Sequence, residues 1–162
     1  MSTTTVEDYD FTSGEAGASE TIPMEAGQIR KGGLIMIKGR PCKVADVSTS
    51  KTGKHGHAKC NFIAYDIFNN KKYEDMIPST HGTTVPVVNR NEYSLIDISD
   101  DNFMTIMDQN GETREDLQLP DYPENYGYAL KNEFEEGKQL VVTVLKACGQ
   151  EQVVSHKIDN DP

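Results

Sequence analysis

Cysteine is scarce in this chain and badly spaced for cross-linking: Cys42, Cys60 and Cys148 are odd in number and form no CxxC pair. Neither a disulfide framework nor a zinc module is indicated, and all three read as reduced packing residues. Long hydrophobic runs are missing too. The longest, Leu34–Ile37 and residues 140–145, fall far short of the roughly 20 residues a membrane helix needs. The start, MSTTTVEDYD, lacks both a basic n-region and an apolar h-region, which argues against a secretory signal and for a cytoplasmic protein that does not engage membranes.

Positive charge is absent from the first 27 residues, which carry six acids and no Lys or Arg. It is concentrated immediately afterwards. Residues 28–88 hold ten Lys/Arg against four acids, and residues 89–162 hold six against sixteen, so segments of −6, +6 and −10 sum to the −10 of the 162-residue chain. Within residues 28–60 the only acid is Asp46, against eight basic residues. Such a patch is the footprint of something that meets polyphosphate, although a solvated basic face accounts for the charge alone equally well.

A hydrophobic fraction of 36% with 26% charged residues is that of a soluble globular protein of one ordinary domain or two small ones. Residues 1–20 are small, polar and acidic with no apolar repeat, and predict a disordered tail. From Ile29 the pattern is short strands: GLIMIKG, RPCKVADVS, AKCNFIAYDIF, a turn at NNK, then KYEDMIP. VPVVNRN, with Pro86, predicts a boundary near Val88. Beyond it EYSLIDIS, NFMTIMD, the turn DQNG and ETREDLQL continue as strands, and QLVVTVLKAC and QVVSHKI close the chain. One helix is predicted over residues 123–136, with Tyr126, Ala129, Leu130 and Phe134 on one face and Gly137 to end it. Five strands with one helix before the last pair suit an oligonucleotide-binding (OB) barrel. The expectation is a mostly β protein: an acidic tail (1–20), a basic barrel (21–88) and an acidic OB-fold domain (89–162).

The connection between the second and third strands, STSKTGKHGHAK at residues 48–59, holds three lysines, two histidines, two glycines and no carboxylate. It is too long and polar for a tight hairpin turn. Gly53 and Gly56 bracket Lys54 and His55 and permit a sharp bend, so Lys54 is expected at the tip. SxxK (Ser48 to Lys51) and KTG (Lys51 to Gly53) echo serine β-lactamase motifs, but here they share Lys51 and cannot face each other. A P-loop would need glycine where Ser48 stands and Ser or Thr where His55 stands. His55 and His57 have no third ligand in the loop, so no metal is expected. His81 and His156 are isolated and read as structural or surface residues. No catalytic Ser/His/Asp order or carboxylate pair is legible, and no enzyme is expected. An RNA- or phosphate-facing loop leads over an idle one.

The stretch STSKTGKHGHAK, with CKVADVS before it, KKYEDMIPSTH after it, and REDLQLP and LVVTVLKA further on, closely resembles eukaryotic translation factor 5A, the hypusine-containing family. The resemblance implies an N-terminal SH3-like barrel, a C-terminal OB-fold barrel, and Lys54 as the modified lysine. It also implies that deoxyhypusine synthase, using NAD and spermidine, transfers an aminobutyl group to the side-chain nitrogen and that deoxyhypusine hydroxylase completes hypusine, with no cofactor retained. Such a factor enters the ribosome near the exit site and reaches toward peptidyl-tRNA, promoting peptide-bond formation at stalling sequences such as polyproline, and termination. Lys51, Gly53, His55, Gly56, His57 and Lys59 then become contacts for ribosomal RNA and the modifying enzyme, and Arg30, Lys31, Lys38, Arg40 and Lys43 further rRNA-facing residues. At −10 the acidic second domain favours protein contacts at least as readily as RNA. The rival readings are a general RNA-binding module acting without modification and an enzyme using Lys54 as a Schiff-base nucleophile; an exposed loop tip offers the latter no obvious cleft.

Overall fold

The computed structural model describes residues 20–51 and 58–159. The chain divides into two compact units, one running to Val88 and including Ala147–Gly149, the other comprising residues 89–146 and 150–162. Both are built on β-sheets, and the fold is mostly β: an N-terminal SH3-like barrel followed by a C-terminal OB-fold, with a single α-helix among the described residues.

The first unit contains β1 (Thr21–Glu25), a 3₁₀ turn at Ala26–Gln28, β2 (Leu34–Ile37), β3 (Arg40–Lys51), β4 (Ala58–Asp66), β5 (Lys72–Pro78) and β6 (Gly82–Pro86). β2-β3-β4-β5 form an antiparallel meander and β1 pairs with β6. β4 shows why these residues make strands. Cys60, Phe62, Ala64 and Asp66 are buried while the residues between them are not, the period of two that places alternate side chains on opposite faces. Phe62, Ile35, Ile37, Cys42 and Val44 form the core with Ala26 and Ile29, each large side chain contributing about 1.5–3 kcal/mol by leaving water. Cys42 and Cys60 are buried and the three cysteines are free, in keeping with packing roles. Burial pushes the Cys42 thiol up to about 11, so it stays protonated and inert.

Two turns fix the meander. Lys38 (φ 51) and Gly39 (φ 79) are the two residues between the paired Ile37 and Arg40, the positive-φ pair a two-residue hairpin requires. At the other end Asp66 is buried. Its carboxylate accepts from Arg40 Nε (2.6 Å) and from the Phe68 and Asn69 amides (2.7 and 3.3 Å), which turns the chain into β5. In β3 one extra residue, Ala45, sits between the pairs Val44↔Ala64 and Asp46↔Ile63, a bulge that shifts the strand's parity.

The second unit is a five-stranded sheet in the order β11-β10-β7-β8-β9. Its strands are β7 (Asn89–Ile98), β8 (Phe103–Met107), β9 (Thr113–Gln118), β10 (Leu140–Ala147) and β11 (Gln150–Ile158), with helix α1 (Tyr126–Glu135) between β9 and β10. Leu95, Met104, Ile106, Val142 and Val144 form its core with Leu130 of α1. Arg114 of β9 links the two sheet edges: it makes bidentate contacts to Asp116 (2.6 and 2.7 Å) and to Glu151 of β11 (2.8 and 2.9 Å). The helix begins three residues later than the pattern suggests, because Asn125 takes a left-handed conformation (φ 67). It ends as expected at Gly137, with φ 89 and an amide donating to Phe134 O. Gly127 is pressed so close to the preceding segment that a Cβ there would collide with Pro120 O.

The sequence pattern does not reveal β1 and β6. Pro86, a boundary residue by its sequence, pairs with Thr21 at the end of β6, a ribbon end where the missing amide is tolerated.

Candidate functional site

The β3–β4 hairpin carries the lysine-rich connection. Its last described pair is Lys51↔Ala58, so Gly53, Lys54, His55, Gly56 and His57 lie outside the described residues. What is described is the root that presents them. Ser48, Thr49, Ser50 and Lys51 run along the far end of β3, with Thr49, Ser50 and Lys51 exposed, so the hairpin continues beyond the packed part of the barrel. Three contacts brace it. Ser79 N donates to Ala58 O (2.9 Å), Gly27 N donates to Ser79 O (2.8 Å), and Asn61 Nδ2 approaches Ser50 Oγ (3.4 Å). The connection is thus anchored through the β5–β6 segment to the 3₁₀ turn, whose Ala26 is buried.

Lys51 and Lys59 leave this root on opposite sides. Directly paired residues share a face, so Lys59 stands with Ser50 and Lys51 with Ala58. Both lysines are exposed. Among the described residues no carboxylate forms an ion pair with Lys31, Lys38, Lys43, Lys51 or Lys59. Arg30 donates to Gly27 O (2.8 Å) in its own turn. Arg40 differs from the rest: its Nε is committed to buried Asp66. Burial opposes the Asp66 charge, but the Arg40 contact and two amides outweigh it and hold the carboxyl below its usual range. Arg40 therefore has a structural role, whatever else it touches.

The remaining sequence candidates separate cleanly. Among the described residues no cluster of three His, Cys, Asp or Glu is placed to hold a metal. His81 serves the fold through its backbone, accepting from Ala26 N (3.0 Å). His156, isolated in the sequence, is not isolated in space: Nδ1 lies 2.6 Å from Tyr126 Oη and Nε2 2.5 Å from Glu133 Oε2. It joins β11 to α1, 30 and 23 residues away along the chain, a separation no local motif reveals. Among the described residues no helix is long and apolar enough to cross a membrane.

Comparison with known proteins supplies the family. Residues 19–81 match the family model described as translation initiation factor 5A-like, N-terminal, and residues 87–157 match that of the eukaryotic elongation factor 5A hypusine, DNA-binding OB fold. The chain is 58% identical over 151 residues to eukaryotic translation initiation factor 5A-3 of Arabidopsis thaliana, covering 93% of this chain and 95% of the relative. It is 53% identical over 152 residues to eukaryotic translation initiation factor 5A of Spodoptera exigua, covering 94% of each. Among solved structures, a translation initiation factor 5A family protein of Naegleria fowleri superposes with a TM-score of 0.81 at 48% identity, over 86% of this chain and 99% of the other. Eukaryotic translation initiation factor 5A from Methanococcus jannaschii gives 0.65 at 29%, over 85% and 96%. With family models over both units, and relatives more than half identical across nearly the whole length, the chain belongs to the eukaryotic translation initiation factor 5A family of hypusine-bearing translation factors.

Proposed function

We propose that Lys54 is the hypusine residue of this chain, and that the factor uses it inside the ribosome to hold peptidyl-tRNA in a reactive position. The observation that carries the reading is TGKHGHAK, a carboxylate-free connection borne on a braced hairpin whose root lysines, Lys51 and Lys59, have no acidic partner among the described residues. In the modification, deoxyhypusine synthase, using NAD, breaks the bond between the aminobutyl group of spermidine and its secondary nitrogen and joins that group to Lys54 Nζ, which loses a proton as 1,3-diaminopropane leaves; deoxyhypusine hydroxylase then converts one C–H of the arm to C–OH with dioxygen as the oxidant. The arm lengthens the side chain by roughly 6 Å, from ordinary carbon-chain dimensions, and adds a second amine able to contact phosphate and ribose oxygens.

The contribution to peptide-bond formation is positioning. Orienting one reactant lowers a barrier without covalent participation, an effect that matters most where the nascent chain presents a poor geometry, as at proline runs, and at termination. Residues 21–88 act as the barrel that presents loop 48–59, and residues 89–162 as the OB-fold domain that docks in the exit-site region of the ribosome. Gly53 and Gly56 leave room for the modifying enzyme and for RNA, and His55 and His57 flank the arm.

Intact mass spectrometry of the protein from its native host tests this reading. An added mass of hydroxylated aminobutyl localised to Lys54 is expected, as is loss of function in cells carrying Lys54→Arg, which keeps charge but removes the acceptor amine. An unmodified native protein, or normal translation with Lys54→Arg, refutes it in favour of an RNA-binding loop that acts without modification.

A further inference from the structure

The outer face of the first unit's sheet can be read row by row from the strand register. Residues 59, 61, 63 and 65 of β4 point outward, since 60, 62, 64 and 66 are buried. Their partners make four rows across β3, β4 and β5: Ser50–Lys59–Pro78, Ser48–Asn61–Met76, Asp46–Ile63–Glu74 and Lys43–Tyr65–Lys72. The first row belongs to the root of the Lys54 loop. The last lies six residues further along β4, about 20 Å away at strand rise. Between them the carboxylates of Asp46 and Glu74 stand either side of Ile63 and line a cleft of about 460 Å³. Asp75 and Lys38 line the same cleft, so the middle of the face carries three carboxylates against one cation and separates the far row from the row at the loop.

The far row has the composition of a separate contact. Lys43 and Lys72 are exposed and Tyr65 between them is half-buried; directly opposed side chains on such a face lie within about 5.5 Å at Cβ. Lys43 has no ion-pair partner among the described residues, and Lys72 meets Glu74 only at 3.7 Å with both side chains more than half exposed, a pair that holds its cation weakly. Further positive charge surrounds the row. The Arg30–Gly33 turn is hydrogen-bonded to Val44, next to Lys43, through Gly32 N and Gly33 O, while Lys71 is turned away from the row, its Nζ lying over the Tyr73 ring. Asp66, next to Tyr65 in β4, is turned into the core and neutralised by Arg40. An aromatic ring between two exposed ammonium groups is the arrangement by which proteins hold single-stranded nucleic acid: the base stacks on the ring and the flanking phosphates meet the cations.

We propose that Lys43, Tyr65 and Lys72 form a second RNA contact on the first unit, which takes an unpaired nucleotide with its base on Tyr65 and the adjoining phosphates on the two lysines. An RNA partner is what charge complementarity selects on a translation factor, and the ring selects an unpaired base over a duplex. The contact is separate from Lys54 and does not require its modification.

The test uses full-length protein made in bacteria, with plain lysine at position 54, titrated into fluorescein-labelled oligouridylate and followed by anisotropy. Tyr65→Ala is expected to weaken binding roughly 5- to 150-fold, the value of one stacked base, with the salt dependence unchanged. Tyr65→Phe should bind as the parent does. Lys43→Gln with Lys72→Gln should flatten the slope of log K against log salt by about 1.4, or 0.7 for each phosphate no longer neutralised. Binding by Tyr65→Ala within twofold of the parent overturns the proposal, as does a duplex of equal length competing as well as the single strand. Displacement by polyglutamate at the same charge concentration would show a general anion surface and overturn it too. The readout is carried by Tyr65, Lys43 and Lys72 in protein with plain lysine at position 54, so failure here leaves the mass-spectrometric test of Lys54 untouched, and failure of that test leaves this one untouched.

Discussion

Removing Arg114 should loosen the second unit from its edges inward. The guanidinium holds Glu151 and Asp116 by two bidentate pairs of 2.6–2.9 Å, and it connects β9 and β11, the outermost strands of the five. The Glu151 and Arg114 side chains are 23% and 27% exposed, whereas Asp116 is 61% exposed, so the two pairs do not weigh equally. The Asp116 pair contributes at most about 0.5 kcal/mol after solvent screening. The Glu151 pair is partly desolvated, and truncating its partner leaves a half-buried carboxylate uncompensated, at about 2–3 kcal/mol. Arg114→Met keeps most of the apolar stem and isolates this electrostatic part. Native-state hydrogen exchange resolves the two units separately. Amides of Val142 and Val144 should exchange roughly 30- to 150-fold faster, while those of Phe62 and Ala64 in the first unit should not change. The pH dependence carries the same signature. Arg114 holds both carboxyls below their usual range, so their contribution is present above the unfolded carboxylate pKa and disappears as pH falls through the depressed folded values. The parent should lose protection at Val142 and Val144 progressively below about pH 4.5, and Arg114→Met should lack that part of the slope. Unchanged exchange at Val142 and Val144, or equal acceleration in both units, would refute the assignment of Arg114 as the link between the sheet edges.

Three further outcomes follow from single contacts. Asp66→Ala should destabilise the first unit by about 3–5 kcal/mol, because it deprives Arg40 of its partner and the donating Phe68 and Asn69 amides of their shared acceptor at once; denaturant unfolding read at first-unit amides checks it, and a change below about 1 kcal/mol would refute it. Tyr126, whose phenol is pushed up to about 12 by burial and then by Glu133, should remain protonated at about pH 11 in a spectrophotometric titration, above the ordinary phenol range, and Tyr126→Phe should remove that late-titrating class. Gly127→Ala should cost the second unit about 2 kcal/mol or more, since the methyl would have to displace the Pro120 carbonyl; an unshifted thermal midpoint would contradict it.

The sheets were legible in the sequence because their signals are local. Alternating burial in AKCNFIAYD is a pattern any pleated strand with one wet face imposes, LVVTVLKA follows it up to the consecutive buried pair Val144–Leu145, and Gly137 ends α1 by a turn geometry that glycine alone adopts freely. What escaped depends on partners distant in sequence. β1 is a five-residue strand, exposed at its second and third positions, and exists because β6, far along the chain, pairs with it. The Glu133–His156–Tyr126 link is invisible for the same reason. The helix start moved because Asn125 adopts αL, a local choice that apolar periodicity does not encode. At the candidate site the composition of residues 48–59 marked the loop, but the Lys43–Tyr65–Lys72 row needed the register: its members lie 22 and 7 residues apart, and only the pairing of three strands brings them side by side.

The single extra residue at Ala45 also limits how such a chain can vary in length. Before it, even-numbered residues of β3 face the core; after it, Val47 packs inward and Asp46 faces out. Without the bulge the same sequence would drive Asp46 into the core and bring Lys51 round to the side of Lys59. An insertion or deletion of one residue between Ala45 and Lys51 is therefore a rotation of everything beyond it, tolerable only where a compensating change restores the count. What is held constant there is an odd or even number rather than the identity of any one side chain.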